Sequence, residues 1–110
     1  MRKLIYTFAL LFPLLSSAKN IVALGDLHGD LHATVEVLKK ASIIDENQNW
    51  IGKDTILVQT GDQIDRGAYD KEIIDLFEKL AQQASLEGGE VHSLIGNHEA
   101  MNVYGNFKYV

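Results

Sequence analysis

The sequence predicts an α/β fold organised as a parallel βαβαβ unit. Three observations carry that prediction: three short apolar runs of strand type, a Gly-Asp or Gly-Asn pair closing each run, and two amphipathic helical stretches between them. The first run, Ile21–Leu24, ends at Gly25-Asp26. Asp30 then suits the cap of a helix carrying Leu31, Val35 and Leu38 at i, i+4 and i+7. The second strand is predicted over residues 55–59, centred on Ile56-Leu57-Val58 and closing on Thr60-Gly61-Asp62. Residues 69–84 place Ile73, Ile74, Phe77, Leu80, Ala81 and Ala84 on one helical face. The third strand, residues 91–95, closes on Gly96-Asn97.

Because these runs do not alternate, the expectation is strands buried on both faces. Residues 45–53 form a polar connection from which Trp50 and Ile51 are expected to fold back onto the core, and Glu87-Gly88-Gly89-Glu90 reads as a tight turn. Right-handed crossovers then bring all three closing pairs to the carboxyl edge of one sheet, where ligands collect in folds of this kind.

Residues 1–18 have the pattern of a removable signal peptide. Arg2 and Lys3 open it, residues 4–15 are apolar except for Thr7 and Pro13, and Ser16-Ser17-Ala18 supplies small residues for cleavage after Ala18. The apolar run falls short of the roughly 20 residues that span a bilayer, so a periplasmic or secreted product without stable membrane insertion is expected. Its domain would be residues 19–110. Removing Arg2 and Lys3 lowers the basic count from 10 to 8 against 15 acids and takes the net charge from −5 to −7. That balance excludes nucleic acid as a partner, which needs a basic surface. The chain has no cysteine, and the sequence leaves its oligomeric state open.

The chemistry is concentrated in three blocks: Gly25-Asp26-Leu27-His28-Gly29, Gly61-Asp62-Gln63-Ile64-Asp65-Arg66-Gly67 and Gly96-Asn97-His98-Glu99. Asp26 and His28, two apart in chain expected to be extended, would chelate one ion, with Gly25 and Gly29 allowing the sharp exit. A plain turn is the alternative for that block. Asp62 is the natural carboxylate bridge between two cations, and Asn97 offers an amide oxygen to the second without adding charge. Arg66, always protonated, suits a bidentate clamp on phosphoryl oxygens, against a surface ion pair with Asp70. His98 suits a general acid oriented by Asp65, with metal ligation or helix capping as alternatives. His92 is expected to be packed within its strand and His32 to be solvated at a helix start. No dinucleotide glycine fingerprint, phosphate loop or nucleophile elbow is present.

These blocks resemble the signature of the phosphoprotein phosphatase group within the calcineurin-like metallophosphoesterases, and Glu72 falls where that group carries a glutamate. The stretch from Asn97-His98-Glu99-Ala100-Met101-Asn102 to Lys108-Tyr109-Val110 most resembles the Shewanella-like protein phosphatase branch. The resemblance implies the N-terminal βαβαβ portion of a four-layer α/β/β/α sandwich. It implies two divalent metal ions, of manganese, iron or zinc, with Asp26, His28 and Asp62 on the first and Asp62 and Asn97 on the second. Arg66, Asn97 and His98 would meet the substrate, and a metal-bound hydroxide would attack a phosphomonoester, with phosphotyrosine preferred over phosphoserine or phosphothreonine. The group's two later histidine ligands and second arginine have no counterpart here. This portion by itself is therefore expected to be inactive. A dinucleoside polyphosphate hydrolase and a non-catalytic remnant are the competing expectations.

Overall fold

Strand register decides where the three blocks emerge. The computed structural model describes residues 18–110, so the predicted signal peptide lies outside the described residues apart from Ala18. Along the chain run β1 (Ile21–Leu24), α1 (Leu31–Lys40), β2 (Ile56–Gln59), α2 (Asp70–Leu86), β3 (Glu90–Ser93) and α3 (Asn97–Val103). The strands form one parallel sheet in the order β1-β2-β3. Leu24 is level with Gln59, and Gln59 with Ser93, so every strand ends along one edge of the sheet.

Local chemistry accounts for the helices. Asp30 caps α1 by accepting from the Ala33 N–H at 2.9 Å, and the Thr34 hydroxyl donates to the Asp30 carbonyl at 2.7 Å. The buried stripe of α2 is Ile73, Leu76, Phe77, Leu80 and Ala84, a 3.6-residue repeat. Leu76 takes the place expected for Ile74, which stays 46% exposed, because the stripe is shared with α1 as well as with the sheet. Leu38, Leu57, Ile73 and Leu80 form the centre of the core, each exposed by 1% or less. Each such burial contributes about 2 kcal/mol.

The sheet is covered on one face. Leu57 and Gln59 are fully buried, while Ile21 of β1 is 68% exposed and the pattern along β3 is almost wholly exposed. Strands buried on both faces, expected from the continuous apolar runs, are therefore not found among the described residues. Crossovers of one hand that step in one direction carry both helices to the same side, and α1 and α2 do touch.

His92 lies on the uncovered face. It is not packed: its side chain is 52% exposed and Nε2 is 2.9 Å from Glu90 Oε2. That bond, followed by Lys19, holds the Glu90 carboxyl below the usual carboxylate range. His32 is exposed, as expected.

One strand boundary and one loop residue also differ from expectation. β3 ends at Ser93 because β2 has no partner to offer beyond Gln59, whose carbonyl takes the Leu94 N–H at 2.8 Å as the final link. Trp50 is buried, with its indole N–H donating to the Lys53 carbonyl at 3.1 Å. Ile51 is not folded back but 47% exposed, although its N–H donates to the carbonyl of the buried Ile43 at 2.8 Å. Among the described residues no helix is long and apolar enough to cross a membrane.

Leu57→Ala is expected to cost about 3 kcal/mol, since it opens a cavity under both helices. Ile21→Ala on the open face should cost less than about 0.5 kcal/mol. Urea unfolding of the two variants checks the contrast; equal losses would mean that the face bearing Ile21 is covered.

Candidate metal centre

A buried glutamine joins the first two blocks. Gln59 Nε2 donates to the carbonyls of Gly25 at 3.1 Å and Gly61 at 2.6 Å, while its Oε1 accepts from the Gly61 N–H at 2.9 Å. The Asp62 carbonyl accepts from both Leu27 and His28 N–H, at 2.9 and 3.0 Å, and the Gln63 carbonyl from Gly29 N–H at 2.9 Å. Gly29 and Gly67 meet backbone to backbone, where a Cβ on either would overlap the other. Gly25, by contrast, has open space around it and ordinary backbone angles, so its expected steric role is absent.

Four site residues adopt left-handed backbone: His28 at φ 45°, Asp62 at 55°, Asp65 at 69° and Arg66 at 70°. Such angles cost a non-glycine residue of order 1 kcal/mol each and persist only where surrounding bonds over-determine them.

The ligand atoms of Asp26, His28 and Asp62 all lie within 4.8 Å of one another. Asp26 and His28 converge through a turn rather than through extended chain, as the φ of His28 requires. His28 Nδ1 is 3.1 Å from the Ile64 carbonyl, which can only accept, so Nδ1 carries the proton and Nε2 keeps its lone pair. That lone pair faces Asp26 Oδ2 at 3.6 Å. Two carboxylates and one imidazole nitrogen so disposed fit a divalent first-row cation.

Asn97 is exposed at the first position of α3. Its neighbour His98 donates its backbone N–H to Asp62 Oδ1 at 2.8 Å, which ties α3 to the ligand cluster.

The His98 ring is buried beside Asp65, Nδ1 to Oδ2 2.9 Å, with 3% and 2% of the two side chains exposed. It also meets the His28 ring edge-on at 4.7 Å. Arg66 is exposed and makes no ion pair with Asp70 among the described residues; its guanidinium instead stacks over the Tyr109 ring at 5.1 Å. Asp70 Oδ2 accepts from the Asp65 N–H at 3.0 Å.

Sequence reasoning gave no role to Glu99, Asn102 or Tyr109. The Glu99 carboxylate accepts from Asp62 and Gln63 N–H at 2.8 Å each and from Gly96 N–H at 2.9 Å. Its spacing from Gly96 is that of a capping box, a readable signal for the Gly96 bond; the other two link the loop after β2 to α3 and have no local signature. Asn102 Nδ2 reaches both Asp65 oxygens, at 3.2 and 2.9 Å, and the His98 carbonyl at 2.9 Å. The Tyr109 ring lies 5.2 Å from that of His98, and its carbonyl takes the Arg66 N–H at 3.0 Å.

Glu99→Ala strands three N–H donors and should destabilise the chain by about 3 kcal/mol, read as a lower urea midpoint at unchanged slope. Equilibrium dialysis against Mn²⁺ or Zn²⁺ should show one tightly held ion per chain, lost in Asp62→Ala and kept in His92→Ala. Two tight ions would require ligands beyond this cluster.

Residues 19–110 match the family described as calcineurin-like phosphoesterase. Shewanella-like protein phosphatase 2 of Arabidopsis thaliana is 45% identical over 92 residues, which is 84% of this chain and 24% of that protein. Shewanella-like protein phosphatase 1 of Plasmodium berghei is 42% identical over 83% of this chain and 25% of its own length. The crystal structure of a cold-active protein-tyrosine phosphatase from a psychrophilic Shewanella superposes with a TM-score of 0.81 at 42% identity, over 86% of this chain and 28% of that one. The chain thus spans about a quarter of the length of these relatives. With the metal-ligand cluster, the histidine–aspartate pair and the parallel sheet that brings them to one edge, it belongs to the calcineurin-like phosphoesterase family.

Proposed function

We propose that this chain supplies the first metal ligands, the phosphate clamp and the proton donor of a protein phosphatase with phosphotyrosine as its preferred substrate. The observation that carries the proposal is the bond from His98 N–H to Asp62 Oδ1, which sets the buried His98–Asp65 pair directly beside the ligand cluster. Asp26, His28 and Asp62 would hold one divalent cation, of manganese, iron or zinc, and Asn97 with Asp62 would contribute to a second. Bound there, such ions would supply positive charge to phosphoryl oxygens and acidify water.

Arg66 takes the remaining phosphoryl oxygens on its guanidinium, with Tyr109 supporting the flat face. A water oxygen bonds to phosphorus and loses a proton to solvent as the P–O bond to the leaving group breaks. An imidazolium at position 98 passes its Nε2 proton to the departing oxygen, while Asp65 accepts from Nδ1 and holds the ring in place. The preference for phosphotyrosine draws on the tyrosine phosphatase named among the relatives, and it outranks a dinucleoside polyphosphate substrate on that support. The face bearing Ile21 suits the stacking of the second sheet of a four-layer sandwich.

A second reading concerns the chain taken alone. Its three-residue cluster supports binding of one ion rather than the paired arrangement hydrolysis needs, so the isolated chain is expected to bind metal without turnover.

A chimera decides between these. Residues 19–110, placed in the matched segment of the Shewanella tyrosine phosphatase, should restore hydrolysis of a phosphotyrosyl peptide and leave diadenosine tetraphosphate largely untouched. In it, His98→Asn should lower kcat about 100-fold. A folded, metal-loaded chimera without activity refutes the phosphatase proposal, and preference for the dinucleotide replaces the substrate.

A further inference from the structure

We infer that Asn102 is a positioning residue: its side-chain amide locks Asp65, and through it the His98 ring, in the orientation that proton donation requires. Asp65 is 3% exposed, so its carboxylate must find its partners inside the protein. One oxygen, Oδ2, takes His98 Nδ1 at 2.9 Å and Asn102 Nδ2 at 2.9 Å; the other, Oδ1, has Asn102 at 3.2 Å as its partner among the described hydrogen bonds. Removing the amide would leave Oδ1 buried and unbonded and free the carboxylate to rotate away from the imidazole.

The second amide contact closes the arrangement. Asn102 Nδ2 also donates to the His98 carbonyl at 2.9 Å, one helical turn back. A single side chain therefore grips both the backbone of His98 and the acid that orients its ring. Neither leucine, which has the shape without donors, nor aspartate, which would set a second carboxylate against Asp65, can do this. Glutamine keeps the donors on a longer stem.

The ring's tautomer reports this lock directly. An imidazole bonded to Asp65 through Nδ1 must carry its proton there, whereas an unrestrained ring distributes it between both nitrogens. The role in proton donation rests on the phosphatase proposal; the lock itself does not, and the two are tested separately.

Long-range ¹⁵N–¹H NMR of the full chain at one fixed pH should show the neutral His98 ring as a single Nδ1–H tautomer with a slowly exchanging proton. Asn102→Leu should mix the tautomers and speed the exchange, and Asn102→Gln should restore most of the wild-type spectrum. An unchanged His98 signal in a folded Asn102→Leu chain overturns the inference. Should that variant unfold, Asn102→Ser is read by the same criterion, and if both unfold the residue is structural and the inference fails.

In the active chimera, Asn102→Leu should slow phenyl phosphate turnover about tenfold while sparing 2,4-dinitrophenyl phosphate, whose leaving group needs no proton. Equal losses on both esters also overturn it. An inactive chimera counts against the phosphatase proposal alone and leaves the NMR result decisive.

Discussion

The site depends on a crossed pair of hydrogen bonds between the loop after β2 and α3. Glu99, on the helix, accepts from the Asp62 N–H, and Asp62, on the loop, accepts from the His98 N–H, both at 2.8 Å. Each carboxylate thereby satisfies a donor that the other segment leaves without a partner, one at a tight turn and one at a helix start. Glu99 adds Gln63 and Gly96 N–H to the same grip. Because these bonds are charge-assisted and partly buried, the loop cannot shift relative to α3 without exposing several of them together. The left-handed angles at Asp62, Asp65 and Arg66 are sustained by that restraint.

Carboxylates accumulate around this junction, and they are not equivalent. Those of Glu99 and Asp70 accept backbone N–H groups, and that of Asp65 is held by His98 and Asn102. Asp26 is exposed, and Asp62 gives only Oδ1 to a backbone donor. Asp70 Oδ1 is buried without a hydrogen-bond partner, while the free oxygens of Asp26 and Asp62 gather with His28 at the 4.8 Å cluster. A divalent cation is a counter-charge that such a cluster accepts.

Legibility in the sequence followed the range of the interactions. The strands, the capped α1 and the length of α2 rest on neighbours a few residues away, and they were readable from apolar spacing and from Asp30. A candidate cluster was readable too, because Asp26, His28 and Asp62 are glycine-flanked residues at strand ends whose ligand atoms the fold brings within 4.8 Å. What the apolar runs misreported was covering: Ile21, Ile74 and His92 are exposed for reasons set by which side the helices take, and Ile51 stays exposed beside the buried Ile43. The roles of Glu99, Asn102 and Tyr109 were hidden because most of their partners lie more than thirty positions away.

By itself the sequence determined the order of strand and helix and which side chains are candidates for the site, since both arise from local periodicity and from the chemistry of single side chains. Tertiary structure alone decided the exact register that levels Leu24, Gln59 and Ser93, the bond of His28 Nδ1 to the Ile64 carbonyl, and the near-complete burial of the expected His98–Asp65 pair. The physical reason is that each of these depends on the register of hydrogen bonds between segments distant in the chain. No spacing within a segment encodes that register; it is selected when the whole set of donors and acceptors is satisfied at once.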